Sequence, residues 1–239
     1  MLEAVRINKF LSECGFCSRR EADKLLEQGR ITINGNVPKH GTKVLPNDIV
    51  AVNGKIINVQ NKDFHYVMFH KPKGIECTTN LDTPNNIIDF INYPKRIFPI
   101  GRLDKASEGL ILLTDDGDIV NKILRAKNKN EKEYIVTVNQ TITDRFIEKM
   151  ANGIPILDTI TQPCKVTKIS NTVFKIILTQ GLNRQIRRMC EYLDYEVVAL
   201  KRIRIMNIKL DVNVGKYRLL NTIELQDLNQ ELEQASNIF

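Results

Sequence analysis

The sequence predicts an α+β protein in two parts. A small α/β module over residues 1–60 is followed by a larger domain over residues 64–239, with a long mixed, mainly antiparallel sheet flanked by helices. Three observations predict this. Within the first 60 residues the apolar period changes from that of a helix to that of a strand. Beyond Phe64, six short β-branched or aliphatic runs are bounded by Gly, Pro, Asn or Asp. Between them stand stripes at helical spacing, and strands and helices interleaved in this way stack as layers around a shared core.

In the first module, Ile7, Phe10, Leu11 and Cys14 fall at i, i+3, i+4 and i+7, a helix stripe that Gly15 is placed to stop. Ser18 with Glu21 three residues on forms a capping box for a second helix. That helix has Ala22, Leu25 and Leu26 as its buried face and Gly29 as its left-handed C-terminal residue. Ile31 and Ile33 before Asn34-Gly35, and Val50 and Val52 before Asn53-Gly54, read as strands closed by type I′ turns. Asn58 to Asp63 is polar and aperiodic, so it is the expected linker.

In the larger domain the predicted strands are Tyr66–Phe69, Leu110–Thr114, Tyr134–Val138, Cys164–Ile169, Val173–Leu178 and Ile203–Leu210. Helices are expected around Ile119, Val120, Ile123 and Leu124, around Phe146, Ile147 and Met150, and around Ile186, Met189, Cys190 and Leu193.

Composition narrows the function. The 35 Lys and Arg against 28 Asp and Glu give a net charge of +7, which favours a polyanionic partner. The charge is also segregated: Gly181 to Arg218 holds nine basic and four acidic residues, whereas Leu219 to Phe239 holds four acidic and no basic ones. One basic surface and a solvated acidic tail are expected. No run approaches the ~20 apolar residues that cross a bilayer, and MLEAVRINKF lacks a signal peptide's apolar stretch. A soluble cytoplasmic protein with no membrane association is therefore expected, its five cysteines reduced.

Glycine spacing excludes whole classes. No two of the twelve glycines stand closer than six residues, whereas dinucleotide fingerprints need glycines two and three apart and a P-loop needs them five apart. Cys14 and Cys17 lack further ligands, and His40, His65 and His70 show no i, i+4 pairing, so no metal and no cofactor are expected. A nucleophile elbow is also missing.

What remains is Ile97 to Asp118, where Asp104 stands between Arg102 and Lys105 in a loop entering a buried strand. An Asp so placed can be a turn former. It can also be a carboxylate kept ionised by neighbouring cations, able to act as base or nucleophile without a metal. Asp115, Asp116 and Asp118 lie beyond a strand of about five residues, roughly 17 Å away, and suit a turn and helix N-terminus better than a second catalytic acid.

Two resemblances join these observations. Arg6 to Val37, RINKFLSECGFCSRREADKLLEQGRITINGNV, resembles the S4 RNA-binding domain. GRLDKASEGLILLT (101–114), EKEYIVTV (131–138) and LTQGLNRQIRRMCEYLDYEV (178–197) resemble, in order, the motifs of the RsuA branch of RNA pseudouridine synthases. Asn121–Val138 and Gly153–Val166 are most similar to a member acting on the large ribosomal subunit.

The resemblance implies the site residue by residue. Asp104 is the catalytic aspartate; Arg102 enters the RNA helix where the target uridine leaves; Tyr134 packs on the base; and Arg187 pairs with Asp104. Leu178 and Ile186 wall the uracil, and Gln185 lies between the two in the Gln-Ile-Arg motif and belongs to the substrate pocket. Many members have His where this chain has Arg184, so Arg184 is given only an RNA contact, as is Arg188. In the S4 module, Arg6, Arg19, Arg20, Lys24 and Arg30 are the expected RNA-binding cations.

Implied partners are 23S rRNA near the peptidyl-transferase centre and a tRNA-Tyr anticodon uridine; in the absence of any signal for assembly, a monomer is expected. The residues leave open whether Asp104 removes the 2′ proton or attacks carbon; the family implies proton removal to a glycal. The competing expectation is a non-catalytic S4-type RNA-binding or ribosome-assembly factor whose larger domain is a scaffold.

Overall fold

The structure, a computed structural model, describes residues 4–57, 63–124 and 130–237. The chain divides into two compact units, Met1–Phe64 with Asp115–Gly117, and His65–Thr114 with Asp118–Phe239. The expected linker, apart from Asp63, lies outside the described residues.

The first unit runs β1 (Val5–Arg6), α1 (Ile7–Glu13), α2 (Arg19–Glu27), β2 (Ile31–Ile33), β3 (Lys43–Val44), β4 (Val50–Val52) and β5 (Lys55–Ile56). The capping box forms as read: Ser18 Oγ accepts the Glu21 amide at 3.1 Å while Glu21 Oε2 accepts the Ser18 amide at 3.4 Å. Asn34-Gly35 and Asn53-Gly54 both have positive φ at both residues, as type I′ turns require. Antiparallel β2-β4-β5 and the two helices enclose a core of Ile7, Leu11, Ala22, Leu26, Ile31 and Val50.

The second unit begins β6 (Tyr66–Lys71), α3 (Ile87–Ile91), β7 (Phe98–Pro99), β8 (Glu108–Thr114), α4 (Gly117–Leu124), β9 (Lys132–Val138) and α5 (Asp144–Asn152). It continues β10 (Pro155–Ile156), β11 (Thr159–Ile160), β12 (Lys165–Lys168), β13 (Val173–Leu178) and α6 (Gln185–Tyr192). It ends β14 (Val197–Ile205), β15 (Ile208–Lys209), β16 (Tyr217–Leu219) and α7 (Thr222–Asn237). The main sheet has the order β12-β13-β9-β14-β8-β6-β16, with β15 on β14 and β7 on β8. Among the described residues β14 with β8 is its parallel pair, and the other pairings are antiparallel. This is the mixed, mainly antiparallel sheet expected.

Both faces of that sheet are covered, as the continuous apolar runs of β6 and β8 demand. Phe69, Ile111, Val136 and Phe174 face α3, α5 and α6, and Met68, Leu110, Leu112 and Ile205 face α4 and α7. Phe146 of α5 meets Phe174 edge-on at 5.3 Å between ring centroids.

Three expectations are corrected. The strand read as Ile203–Leu210 is β14, which starts at Val197 and ends where Met206 (φ 50°) turns the chain into β15. The acidic tail is in large part the helix α7, which buries Leu228 and Leu232 on the sheet. Asn221 and Glu224 cap its start reciprocally, each side chain accepting the other's amide at 2.9 Å. Nor do the basic residues before it form one free surface. Arg204 bonds Glu131 and Glu133, and Arg218 bonds Asp211 and Glu224, so both guanidinium groups are internal fasteners.

Candidate active site

A cleft of about 1250 Å³ opens in the second unit. Its walls are the loop 101–107, the start of β9, the segment from Leu178 to Arg187, and Leu200 and Arg202 of β14. Arg102, Asp104, Tyr134, Leu178, Arg184, Gln185, Ile186 and Arg187, drawn from three separated motifs, all border it. Arg188 does not; its guanidinium bonds Asn183 through Nε at 3.1 Å and Nη2 at 3.3 Å. In the first unit Arg6, Arg19, Arg20, Lys24 and Arg30 are exposed. Arg30 also donates to Asn53 Oδ1 at 2.7 Å and Gln28 Oε1 at 3.3 Å.

The loop carrying Asp104 is anchored on several sides. Leu103 is buried and its amide donates to Cys77 Sγ at 3.4 Å; the Ser107 amide donates to Asp104 O at 2.9 Å; and Gly74 N donates to Lys105 O at 2.8 Å. Immediately beyond, Gly109 at φ +122° lies against the Arg202 backbone, where a Cβ would stand 2.5 Å from the Arg202 nitrogen. Only glycine fits that approach. Asp104 itself is half-buried, with its carboxylate hydrogen-bonded to no other described residue.

Arg187 is close but spends its guanidinium differently from the expected pair. It donates to Val197 O at 3.2 Å, Ala106 O at 3.3 Å and Ser107 Oγ at 3.3 Å. The Asp104 pairing is corrected accordingly: Arg187 holds the loop behind Asp104, because its two terminal nitrogens bond three oxygens of the loop and β14, and its buried Nε has no partner. Gln185 likewise serves the wall, its Oε1 accepting the Leu182 amide at 3.0 Å and its Nε2 donating to Gln180 Oε1 at 3.3 Å. Arg184 begins α6 in the left-handed conformation (φ 49°, ψ 33°), on the exposed rim. Leu178 and Ile186 supply apolar wall, 3% and 5% exposed.

Sequence reasoning missed three cations. Lys71 is fully buried, and its ammonium donates to Pro72 O and Ile75 O, both at 2.8 Å. Burial holds its pKa below the lysine value, with Arg202 adding to the shift while Cys77, Asp104 and Glu108 oppose it. Lys132 borders the cleft on the same strand face as Tyr134, and burial, aided by Arg202, brings its pKa down to about 8. Arg202, 4% exposed, lies with its guanidinium carbon 6.0 Å from the Tyr134 ring centre. Lys132 was legible as a neighbour of Tyr134 at i−2. Arg202 lies just before the strand expected at Ile203–Leu210, and burial of Lys71 has no sequence signal.

Close by, Glu108 receives Lys201 at 3.2 Å and His70 Nε2 at 3.0 Å, while His70 Nδ1 meets Val212 O at 2.8 Å. Burial pushes the Glu108 carboxyl up, and these two hydrogen bonds more than offset it, leaving its pKa lowered. Among the described residues no group of three or more His, Cys, Asp or Glu side chains could hold a metal ion.

The RNA pseudouridylate synthase family model matches residues 65–192, the span that builds most of this cleft. The chain belongs to that family. The S4 domain model matches residues 5–50 of the pseudouridine synthase. The enzyme is 52% identical, over 236 residues, to the dual-specificity RNA pseudouridine synthase RluF of Escherichia coli K12, a match covering 98% of this chain and 81% of the relative. It is 32% identical to ribosomal large subunit pseudouridine synthase B of Bacillus subtilis, covering 98% and 99%. A crystal structure of a pseudouridylate synthase superposes with a TM-score of 0.69 at 30% identity, over 94% of this chain and 99% of that one. The resemblance to the RsuA branch is thereby met. The alternative of a non-catalytic RNA-binding factor is set aside.

Proposed function

We propose that this pseudouridine synthase acts on a uridine of 23S rRNA, flips it from its helix and isomerises it with Asp104 as the catalytic base. The observation that carries the reading is the cleft itself, where residues from three distant motifs meet around one half-buried carboxylate. The names of the relatives, one a large-subunit synthase and one of dual specificity, support 23S rRNA and a second RNA. That second substrate is a tRNA-Tyr anticodon uridine. The enzyme works as a monomer in the cytoplasm; no helix among the described residues is long and apolar enough to cross a membrane.

A stacked base is out of reach of any carboxylate, so the uridine must leave the helix at a cost of a few kcal/mol. Arg102, exposed on the cleft rim, fills the gap it leaves. Stacking on Tyr134 offsets part of the cost, at about 1–3 kcal/mol per base. Leu178 and Ile186 keep water from the ring while it is detached. Asp104 takes the 2′ proton, and Arg187 keeps the Asp104 loop in position. Arg6, Arg19, Arg20, Lys24 and Arg30, with Arg184 and Arg188, contact RNA phosphates.

The isomerisation exchanges the C5 hydrogen of uracil, so tritium release from RNA labelled at uridine C5 reads it directly. Asp104→Asn is expected to abolish release while RNA affinity stays within a few fold. Release at the wild-type rate would overturn the assignment.

A further inference from the structure

We propose that Arg202 is a further catalytic residue, donating through Nη2 to a carbonyl oxygen of the target uracil and stabilising the negative charge that the base gains on detachment. The inference rests on the proposed role of Asp104 and adds the cation that answers it.

Arg187 also has one buried nitrogen without a partner, but Arg202 is the more deeply buried of the two and is marked by what it lacks. Its neighbour on the same strand, Arg204, bonds two carboxylates, and Arg218 bonds two more. Arg202 is more deeply buried than either, yet among the described residues it makes no ion pair. Nε donates to Leu110 O at 2.6 Å and Nη1 reaches Arg102 O at 3.5 Å, both neutral acceptors. Nη2 is buried and has no partner at all. A guanidinium held out of water without a counter-charge is costly. The cost is met when a ligand brings the acceptor.

The surroundings say what that ligand is. Arg202 borders the cleft with Lys132 and also acts electrostatically on the buried Lys71, so three cations gather near Asp104, against which the other nearby carboxylates are the exposed Glu76 and the His70- and Lys201-bound Glu108. The site favours an incoming anion. A phosphate on the RNA backbone stays at the rim, whereas Arg202 is 4% exposed and 6.0 Å from the centre of the Tyr134 ring. A base held against the Tyr134 ring is the group that comes within reach of a guanidinium lying over that ring.

The chemistry needs such a donor. When Asp104 takes the 2′ proton, the C2′–H electron pair becomes the C1′=C2′ bond, and the C1′–N1 pair leaves with uracil as an anion spread over N1, O2 and O4. Asp104 then returns its proton to C2′, C5 of the anion bonds to C1′, and loss of the C5 proton with protonation at N1 completes the isomer. No atom or electron is gained or lost overall. A preorganised donor aimed at the charge of the detached base lowers the barrier to its departure.

The test is single-turnover tritium release with Arg202→Gln and Arg202→Lys. Arg202→Gln is expected to slow release about 10²–10³-fold, the cost of one lost oxyanion donor. Its RNA affinity should remain within a few fold, and Arg202→Lys should recover part of the rate. A folded Arg202→Gln enzyme with the wild-type rate overturns the proposal. A second measurement needs no variant: wild-type enzyme is given RNA with 2-thiouridine or 4-thiouridine at the target, since sulfur accepts hydrogen bonds poorly. One of the two is expected to react at least tenfold more slowly than uridine, and equal rates on all three overturn the inference however the variants fold. An active Asp104→Asn would instead sink the reading beneath it, so the two failures are distinguishable.

Discussion

Gly109→Ala tests whether the contact between β8 and β14 sets the loop that carries Asp104. Gly109 has φ +122°, a conformation essentially confined to glycine, and its position is paired in parallel with Arg202. A methyl group there would stand 2.5 Å from the Arg202 nitrogen and nearer still to its carbonyl oxygen. These atoms are backbone in the centre of a sheet and cannot swing aside, so the strands must part. Backbone strain contributes about 1–3 kcal/mol and overpacking about 1–3 kcal/mol. The total, about 2–6 kcal/mol, lowers the melting temperature of a domain this size by about 10 °C. Gly74→Ala is the control, because Gly74 also has positive φ (+87°) but meets nothing within 4 Å. It should fall by only a few degrees. Thermal unfolding followed by circular dichroism, with tritium release on the surviving native fraction, measures both effects. A Gly109→Ala protein melting within about 2 °C of wild type, or alongside the control, would refute the reasoning.

Two further outcomes follow from other parts of the molecule. Lys132 has its pKa brought from 10.5 to about 8 by burial and by Arg202, so between those values the unfolded chain binds the proton that the native state has released. Stability therefore rises with pH from about 8 to about 10.5, and the penalty is full below pH 8. Lys132→Met should flatten that rise in urea melts taken across the window, and an unchanged slope counts against it. Ser18→Ala removes the α2 cap at a cost of about 1 kcal/mol, whereas Ser18→Gly costs only a few tenths. Faster hydrogen exchange at the Glu21 amide checks this, and unchanged protection would deny the cap its role.

How much was legible depended on whether the signal was local. Ser18 and Glu21, or Asn53 and Gly54, determine a cap or a turn through neighbours a few residues away, so their structures follow from the letters. The strands β6, β8, β9 and β13 announced themselves by composition and alternation. In β14 the charged residues Lys201, Arg202 and Arg204 interrupt the pattern, and only the fold supplies the carbonyl that meets the buried Arg202 and the carboxylates that meet the half-buried Arg204. The helix α7 was hidden by its acidic surface, although Asn221 and Glu224 stood at capping-box spacing. At the cleft, residues of three separated motifs meet. The motif says which residues meet and not which atoms bond, and so it missed that Arg187 grips Ala106 and Ser107.

The position of β14 bears on how the protein is made. It lies between β8 and β9, yet it is translated some 60 residues after the second of them. A ribosome that has released β9 but not β14 presents two apolar strands whose facing edges cannot join each other, and open edges of this kind invite aggregation. Closing the gap couples residues far apart in the chain, which makes this the slow step expected of nonlocal strand pairing. Only when the latecomer slots in do Arg202 and Arg187 find the loop they brace. A stalled or truncated nascent chain would thus hold Asp104 without the strand that completes the cleft, and synthesis itself delays the onset of RNA modification until the sheet is sealed.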